Sequence, residues 1–570
     1  MLTATFVLVA CDNSDDPTPT LPPGNILDLL EPTVDARISR VAGSEGSGRL
    51  GVPVAGGFDV NGDGHLDYAL ASMRSPRDGE PDVGKVFLIF GDSTTGETLD
   101  TAMANNRVLP IVGAERQENT GSEIWMDDVN GDGLGDLIIG RQNFTLGTRT
   151  GAGAVTILRG DTSLSNMAAS GDTLDLADPP PGLSMTFVGA FPLDRLGMWM
   201  RTGDVNGDDI ADMAIGADQA DTAGESNAGT VYLIMGGTHL NLGNTIDLLD
   251  FGTTVLAGRI AKLNPPSGAE RYHFGASLSV GDLDGNGRAE VFVAASLDRA
   301  GGSLPAAGAA GAAFGSGGNP GGSLFIYWDE LIPDGLWPSG LTIDFDSAPG
   351  VTRIDGGTVS GVFSSARLGE EVLPPQDYNG DGSLDLFLGD ITGDPVGRNN
   401  AGLAHILFSA AELRGESFSI DSPPTEIAVT HVLGPITGAI FGDTAAQGDL
   451  DGDGLIDLAI GSPHDSPNGR DEAGSVQILW GQANWPEVID LAPGNRPEPN
   501  VFTITDILGA FGTTSSNDDG DTLMYSGTAA DVTQDGRDDL IINEMKGNGI
   551  ASDALDVGNL IIIPGAIMPR

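Results

Sequence analysis

The sequence predicts an all-β chain folded as a seven-bladed β-propeller of four-stranded antiparallel blades, and three observations predict it. A nine-residue acidic motif occurs seven times. Each copy is followed by two apolar runs of strand length. No helical period competes with these runs, so stacked sheets must supply the core.

The motif begins at Asp59 (DVNGDGHLD), Asp128 (DVNGDGLGD), Asp204 (DVNGDDIAD), Asp282 (DLDGNGRAE), Asp377 (DYNGDGSLD), Asp449 (DLDGDGLID) and Asp531 (DVTQDGRDD). Successive starts lie 69, 76, 78, 95, 72 and 82 residues apart, so one module has been copied with loops of variable length.

In chain order, each unit opens with a strand before the motif, entered through Leu50-Gly51, Leu196-Gly197, Phe274-Gly275, Leu368-Gly369 or Phe441-Gly442. The motif is a hairpin, and a second strand follows it, as in YALAS (68–72), MAIGA (213–217) and LAIGS (458–462). Being apolar throughout, these runs suit strands buried on both faces. A third strand reads KVFLIFG (85–91), TVYLIMG (230–236) or NLIIIPG (559–565). An Ile/Leu-Asp step at Asp28, Asp100, Asp175, Asp247, Asp344, Asp421 and Asp490 is read as the outer strand, giving four per unit. The last unit stops after its third strand, while residues 26–30 precede the first unit. The simplest closure has this N-terminal segment supply the outer strand of the seventh blade, which removes open sheet edges.

The motif, the Phe-Gly pairs and the run GTVYLIMG (229–236) together resemble the FG-GAP repeats of the integrin alpha-subunit propeller and of many bacterial surface proteins. The resemblance extends over roughly residues 25–565. It implies a calcium-binding hairpin between strands, with oxygen ligands at positions 1, 3, 5, 7 and 9 and a bend at position 6, which is the donor chemistry a hard cation requires. Position 1 is Asp59, Asp128, Asp204, Asp282, Asp377, Asp449 and Asp531; position 3 is Asn61, Asn130, Asn206, Asp284, Asn379, Asp451 and Thr533. Position 5 is Asp63, Asp132, Asp208, Asn286, Asp381, Asp453 and Asp535. Position 7 offers the backbone carbonyls of His65, Leu134, Ile210, Arg288, Ser383, Leu455 and Arg537. Position 9 is Asp67, Asp136, Asp212, Glu290, Asp385, Asp457 and Asp539. Up to seven structural Ca2+ ions are thus expected, the seventh site being the poorest because Thr533 and Gln534 replace its usual residues. The alternative is that Asp/Asn/Gly-rich hairpins are turns and nothing more; preserved spacing through seven copies favours metal.

Composition narrows the partners. Against 27 basic residues stand 81 acidic ones, a formal net charge of −54 that repels nucleic acid and anionic lipid. Hydrophobic content of 40% is too high for a disordered acidic chain. Lysine occurs only at 85, 262 and 546, a balance that would suit a saline habitat. The single cysteine, Cys11, allows no internal disulfide. It closes the apolar start MLTATFVLVAC, residues 1–11, which resembles a bacterial lipoprotein signal with Cys11 as the acylated residue. Residues 12–24 read as a Pro-rich tether and 25–570 as the propeller. An ordinary N-terminal strand with a buried cysteine is the alternative. The signal reading implies a cell-envelope or extracellular protein held to the membrane only by lipid.

The rim opposite the acidic hairpins should carry the ligand, because its loops vary on a rigid scaffold. Two stretches stand out there: the Gly/Ala-rich 295–323 and the segment 258–273 with Arg259, Lys262, Arg271, Tyr272 and His273. The second is a candidate contact for an anionic or sugar-like ligand, a solvated loop being the plainer alternative. RGDT (159–162) occupies the slot of third-strand ends in sister units, and the histidines form no metal spacing. No nucleophile elbow, P-loop or cysteine nucleophile site occurs. The function expected is a monomeric, calcium-stabilised surface protein that binds a protein or carbohydrate partner in adhesion or envelope assembly and performs no chemistry. Two alternatives remain: a polysaccharide-acting enzyme, marked by two uncommitted carboxylates or a His/Arg/Tyr cluster in a central channel, and a purely structural envelope repeat protein.

Overall fold

The computed structural model describes residues 26–44, 49–92, 94, 96–103, 105–222, 224–269, 271–295, 321–333, 335–513, 520–548 and 557–570. Cys11, the 12–24 tether and most of the Gly/Ala-rich 295–323 stretch therefore lie outside the described residues.

The chain is all-β in its architecture, with seven five-stranded sheets and one small three-stranded sheet among the described residues. The third unit shows the plan. Met200–Gly203, Asp212–Ala217, Thr230–Ile234 and Ile260–Asn264 pair antiparallel in that order, and Leu341–Asp344 adds a parallel fifth strand. Every residue of Asp212–Ala217 and Thr230–Ile234 is buried, which explains the apolar runs that follow Asp212 and Thr230.

The expected four-stranded unit needs correction. The Ile/Leu-Asp step is a fifth strand, parallel to the fourth strand of the preceding unit: Thr245–Asp247 pairs with Ser184–Val188, and Val488–Asp490 with Val429–Leu433. The true fourth strands, such as Val429–Leu433 and Ile504–Leu508, went unread. Buried polar residues such as Thr430, His431, Thr505 and Asp506 interrupt these short runs, so they lack a clean period. The N-terminal assignment changes accordingly. Ile26–Asp28 lies parallel to Ile504–Leu508 in the sixth sheet, while Ser39–Ala42 pairs antiparallel with Asn559–Ile563 as the fourth strand of the seventh. A segment near the N-terminus does join the last sheet, but it is not residues 26–30.

First strands meet one another. Val54–Phe58 packs on both Thr120–Asp127 and Leu523–Ala530, and Ser277–Gly281 on Met200–Gly203 and Leu368–Val372. Apolar clusters fill the spaces between consecutive sheets; one unites Val155, Ile157 and Phe187 with Met213, Ile215 and Tyr232, and another unites Leu560 and Ile562 with Leu70 and Phe87. Such stacking of twisted antiparallel sheets around a shared centre is consistent with a β-propeller.

Close approach explains the glycines of the second strands. A Cβ on Gly216 would stand 2.4 Å from the carbonyl oxygen of Gly275, the glycine of the next unit's Phe-Gly pair. Gly275 itself has φ +89 and donates to the Ala294 carbonyl at 3.0 Å. Both positions need glycine, one for space and one for backbone conformation.

Candidate metal hairpins and central cavity

All seven acidic motifs connect the first and second strands of their sheets. The first residue organises each turn. One oxygen of Asp59 accepts from the backbone N–H of Gly62 at 2.7 Å and the other from that of Gly64 at 2.8 Å. The same pair of contacts recurs at Asp128, Asp282, Asp377 and Asp449. Gly64 has φ +89 at the bend; in the third hairpin Asp209 takes that place at φ 63, a conformation Asp tolerates better than most residues. The side chains at position 5 are left exposed around the loop, where Asp63 also receives the His65 N–H at 2.9 Å, while Asn61 and Asn130 at position 3 are buried.

Position 9 is different. Asp67 is fully buried, with one oxygen on the Val60 N–H at 2.8 Å and the other on the Gly91 N–H at 2.9 Å. Burial pushes its carboxyl up to about 7, and Asp136, Asp212, Asp385 and Asp457 behave alike. Burial also carries Glu290 up to about 8. The aspartates at this position hold the hairpin to the exit of the third strand, a role that spacing alone did not reveal.

Two hairpins gather three carboxylates closely enough to hold one ion: Asp282, Asp284 and Glu290, and Asp449, Asp451 and Asp453. Two buried oxygens in the array lack any hydrogen-bond partner, Oδ1 of Asn130 and Oε1 of Glu290. Orphaned hard oxygens at positions 3 and 9 fit a divalent cation. Arginines also attend these loops. Arg570 pairs with Asp451 and Asp453, and Arg414 with Asp284. In the seventh hairpin Thr533 instead donates its hydroxyl to Asp539 at 3.2 Å, while Gln534 reaches the Gly64 carbonyl at 2.8 Å.

Some neighbouring hairpins are bonded to each other. The position-8 N–H donates to the position-1 carbonyl of the preceding loop, from Gly135 to Asp59 at 2.9 Å and from Ala289 to Asp204 at 2.7 Å. Arg288 follows the same direction, its guanidinium on the carbonyls of Val205 and Ile332.

The segment 258–273 does not form the expected basic loop. Ile260–Asn264 is a strand, with Ile260 opposite Ile234 at the hairpin end and Leu263 opposite Val231 at the other. Arg259 therefore sits at the opposite end of the sheet from Arg271 and His273. Lys262 is held over the Tyr232 ring at 5.9 Å, Tyr272 is a core residue, and His273 turns to Asp218 at 3.3 Å. The hydrophobic alternation that puts Tyr272 inside was hidden by its basic neighbours. RGDT lies where expected, beyond the third strand Ala154–Leu158, with Asp161 capping the helix Thr162–Ser170.

Where the first strands meet, a cavity of about 410 Å³ opens, lined by residues of the first, second, third, fifth, sixth and seventh units. Glu123 and Arg201 pair across it at 2.7 Å, and the guanidinium stacks 4.5 Å from the Trp125 ring. Glu371 is 8% exposed, and burial pushes its carboxyl up to about 8; Asp443 is carried to about 7 for the same reason. Sequence reasoning missed these residues. The one available signal was Glu370-Glu371 in a strand, LGEEV, that should have been apolar.

The sheets and hairpins define a β-propeller-type repeat protein with acidic strand connections. Three of its segments, 125–158, 197–234 and 441–479, are FG-GAP repeats by their match to that family's model. The chain is 26% identical over 167 residues to the human phosphatidylinositol-glycan-specific phospholipase D, a stretch covering 29% of this chain and 18% of that protein, and equally so to the bovine protein. The chain thus spans under a fifth of the length of these curated relatives. The solved structure of the Vibrio cholerae biofilm matrix protein Bap1 aligns over 93% of this chain and 89% of that one, at 10% identity and a TM-score of 0.21.

Proposed function

We propose that the chain is a closed, seven-bladed, calcium-stabilised propeller of the cell surface or envelope that binds a protein or carbohydrate partner on the rim opposite its acidic hairpins. Closure is supported by the pairing of Ser39–Ala42 with Asn559–Ile563 and by the apolar cluster joining the last sheet to the first. The observation that carries calcium is the repeated hairpin, whose position-1 carboxylate is held by backbone N–H groups and, in the fourth and sixth copies, has two further carboxylates converging beside it. At ten times its dissociation constant an ion adds about 1.4 kcal/mol per site. The ions are structural, the protein acts as a monomer, and binding rather than catalysis is its task. Attachment through Cys11 would place it at the envelope; no helix among the described residues is long and apolar enough to cross a membrane.

The test is a thermal melt with calcium and with chelator, then glycan and matrix-protein arrays on the calcium-loaded form. A melting temperature indifferent to calcium overturns the metal assignment; the absence of any retained partner favours a purely structural envelope protein. A second reading, a polysaccharide-acting enzyme, is favoured by Glu371 and Asp443 in the central cavity. Release of reducing sugar by the wild type, lost in Glu371→Gln, would establish it.

A further inference from the structure

We infer that the central cavity is a binding site for a small organic cation bearing an ammonium group. Four carboxylates line it, Glu123, Glu370, Glu371 and Asp443, against two guanidinium groups, Arg201 and Arg367. Arg201 is committed to Glu123 at 2.7 Å, and Arg367 lies 3.8 Å from Glu370. Glu371 and Asp443 remain. Neither side chain makes a hydrogen bond or ion pair within the described residues, yet Glu371 is more than nine-tenths buried and faces the cavity. An uncompensated buried carboxylate is costly; a proton relieves it, or a positive charge from outside the chain once the group ionises.

The walls choose the kind of cation. Trp125, Trp199 and Tyr525 line the space together with methionines, surfaces that attract an alkylammonium and offer nothing to a metal ion. A divalent ion needs several converging oxygens. Among the described residues, the groups of three carboxylates close enough for that are in the hairpins, not here. A neutral sugar would leave the excess charge unanswered. At about 410 Å³ the cavity is within the range of small-molecule sites.

Protonation supports the assignment. The field at Glu371 sums burial and repulsion from Glu123, Asp443 and Glu370 against the pull of Arg201, and the carboxyl rises to about 8. Asp443 is raised to about 7 by burial and Glu370, against the pull of Arg367. A bound ammonium lowers both, so binding releases protons and weakens as pH falls through 8 and 7.

The experiment is calorimetric titration of the calcium-loaded full chain with putrescine and with choline at pH 8, in two buffers of different ionisation enthalpy, beside glucose and excess CaCl2. Saturable binding of an amine with proton release, weakened at least tenfold in Glu371→Gln and in Asp443→Asn, bears the inference out. Melting curves of both variants check their folding. Failure of both amines to bind, undiminished binding by the folded variants, or binding of sugar or calcium in the cavity instead overturns it. Loss of partner binding on the arrays leaves this result unaffected, so the two readings fail separately.

Discussion

Asp136 accepts a hydrogen bond from the backbone N–H of Gly160 at 2.9 Å, 24 residues further along the chain. The same bond joins Asp67 to Gly91, Asp212 to Gly236 and Asp457 to Gly481, each across 24 residues. The last motif residue thus pins the hairpin to the end of the third strand.

Asp136→Ala should therefore destabilise the protein in chelator as well as in calcium. The N–H of Gly160 would lose its buried acceptor, at a cost of roughly 2 kcal/mol. Chemical denaturation in both conditions checks this; a loss seen only with calcium would leave the residue a ligand and nothing more.

Arg570 occupies the carboxylates of the sixth hairpin, Asp451 and Asp453, as a competing cation. Arg570→Ala should raise calcium affinity there severalfold, measured by titration. The gain should vanish in a background carrying Asp449→Ala.

Gly216 faces the Gly275 carbonyl so closely that even one methyl group must displace backbone. Gly216→Ala should cost about 2 to 3 kcal/mol. By contrast, Gly64→Ala meets no neighbouring atom and is penalised only through its φ of +89, about 1 to 2 kcal/mol. Paired melting curves distinguish the two mechanisms.

Glu371 holds its proton more tightly folded than unfolded, rising from 4.5 to about 8. Its contribution is complete below the unfolded value and is lost as pH climbs toward 8. Without an added amine, Glu371→Gln should be the more stable protein at pH 8 by at least ~1 kcal/mol, with the difference shrinking toward pH 4.5. Equal slopes of stability against pH would contradict this. Glu123, Glu370, Asp443 and Arg201 act on the same group and stay constant in the comparison.

The sequence made the hairpins and the second and third strands legible because they repeat, and because the middles of strands buried on both faces are apolar, as the LIIG of Asp136–Arg141 is. It concealed the fourth strands, whose short runs carry polar residues such as Thr505 and Asp506 and whose outer neighbour comes from another copy. Ile504–Leu508 is flanked by Ser475–Leu479 on one side and Ile26–Asp28 on the other, a neighbour some 480 residues away. The central cavity was illegible for a related reason. Glu123, Glu371 and Asp443 belong to different units and occur once each in the repeat pattern, so only the assembly of sheets brings them together.

The parallel fifth strands put duplication and packing out of phase. Each copied stretch leaves a short ribbon, such as Leu174–Asp175 on Val108–Val112, lodged in the territory of its predecessor. A fragment excised at the borders of a copy would carry one orphan ribbon and miss another. Gain or loss of a sector by recombination must therefore cut inside the copies, and melting should proceed as one event instead of sector by sector.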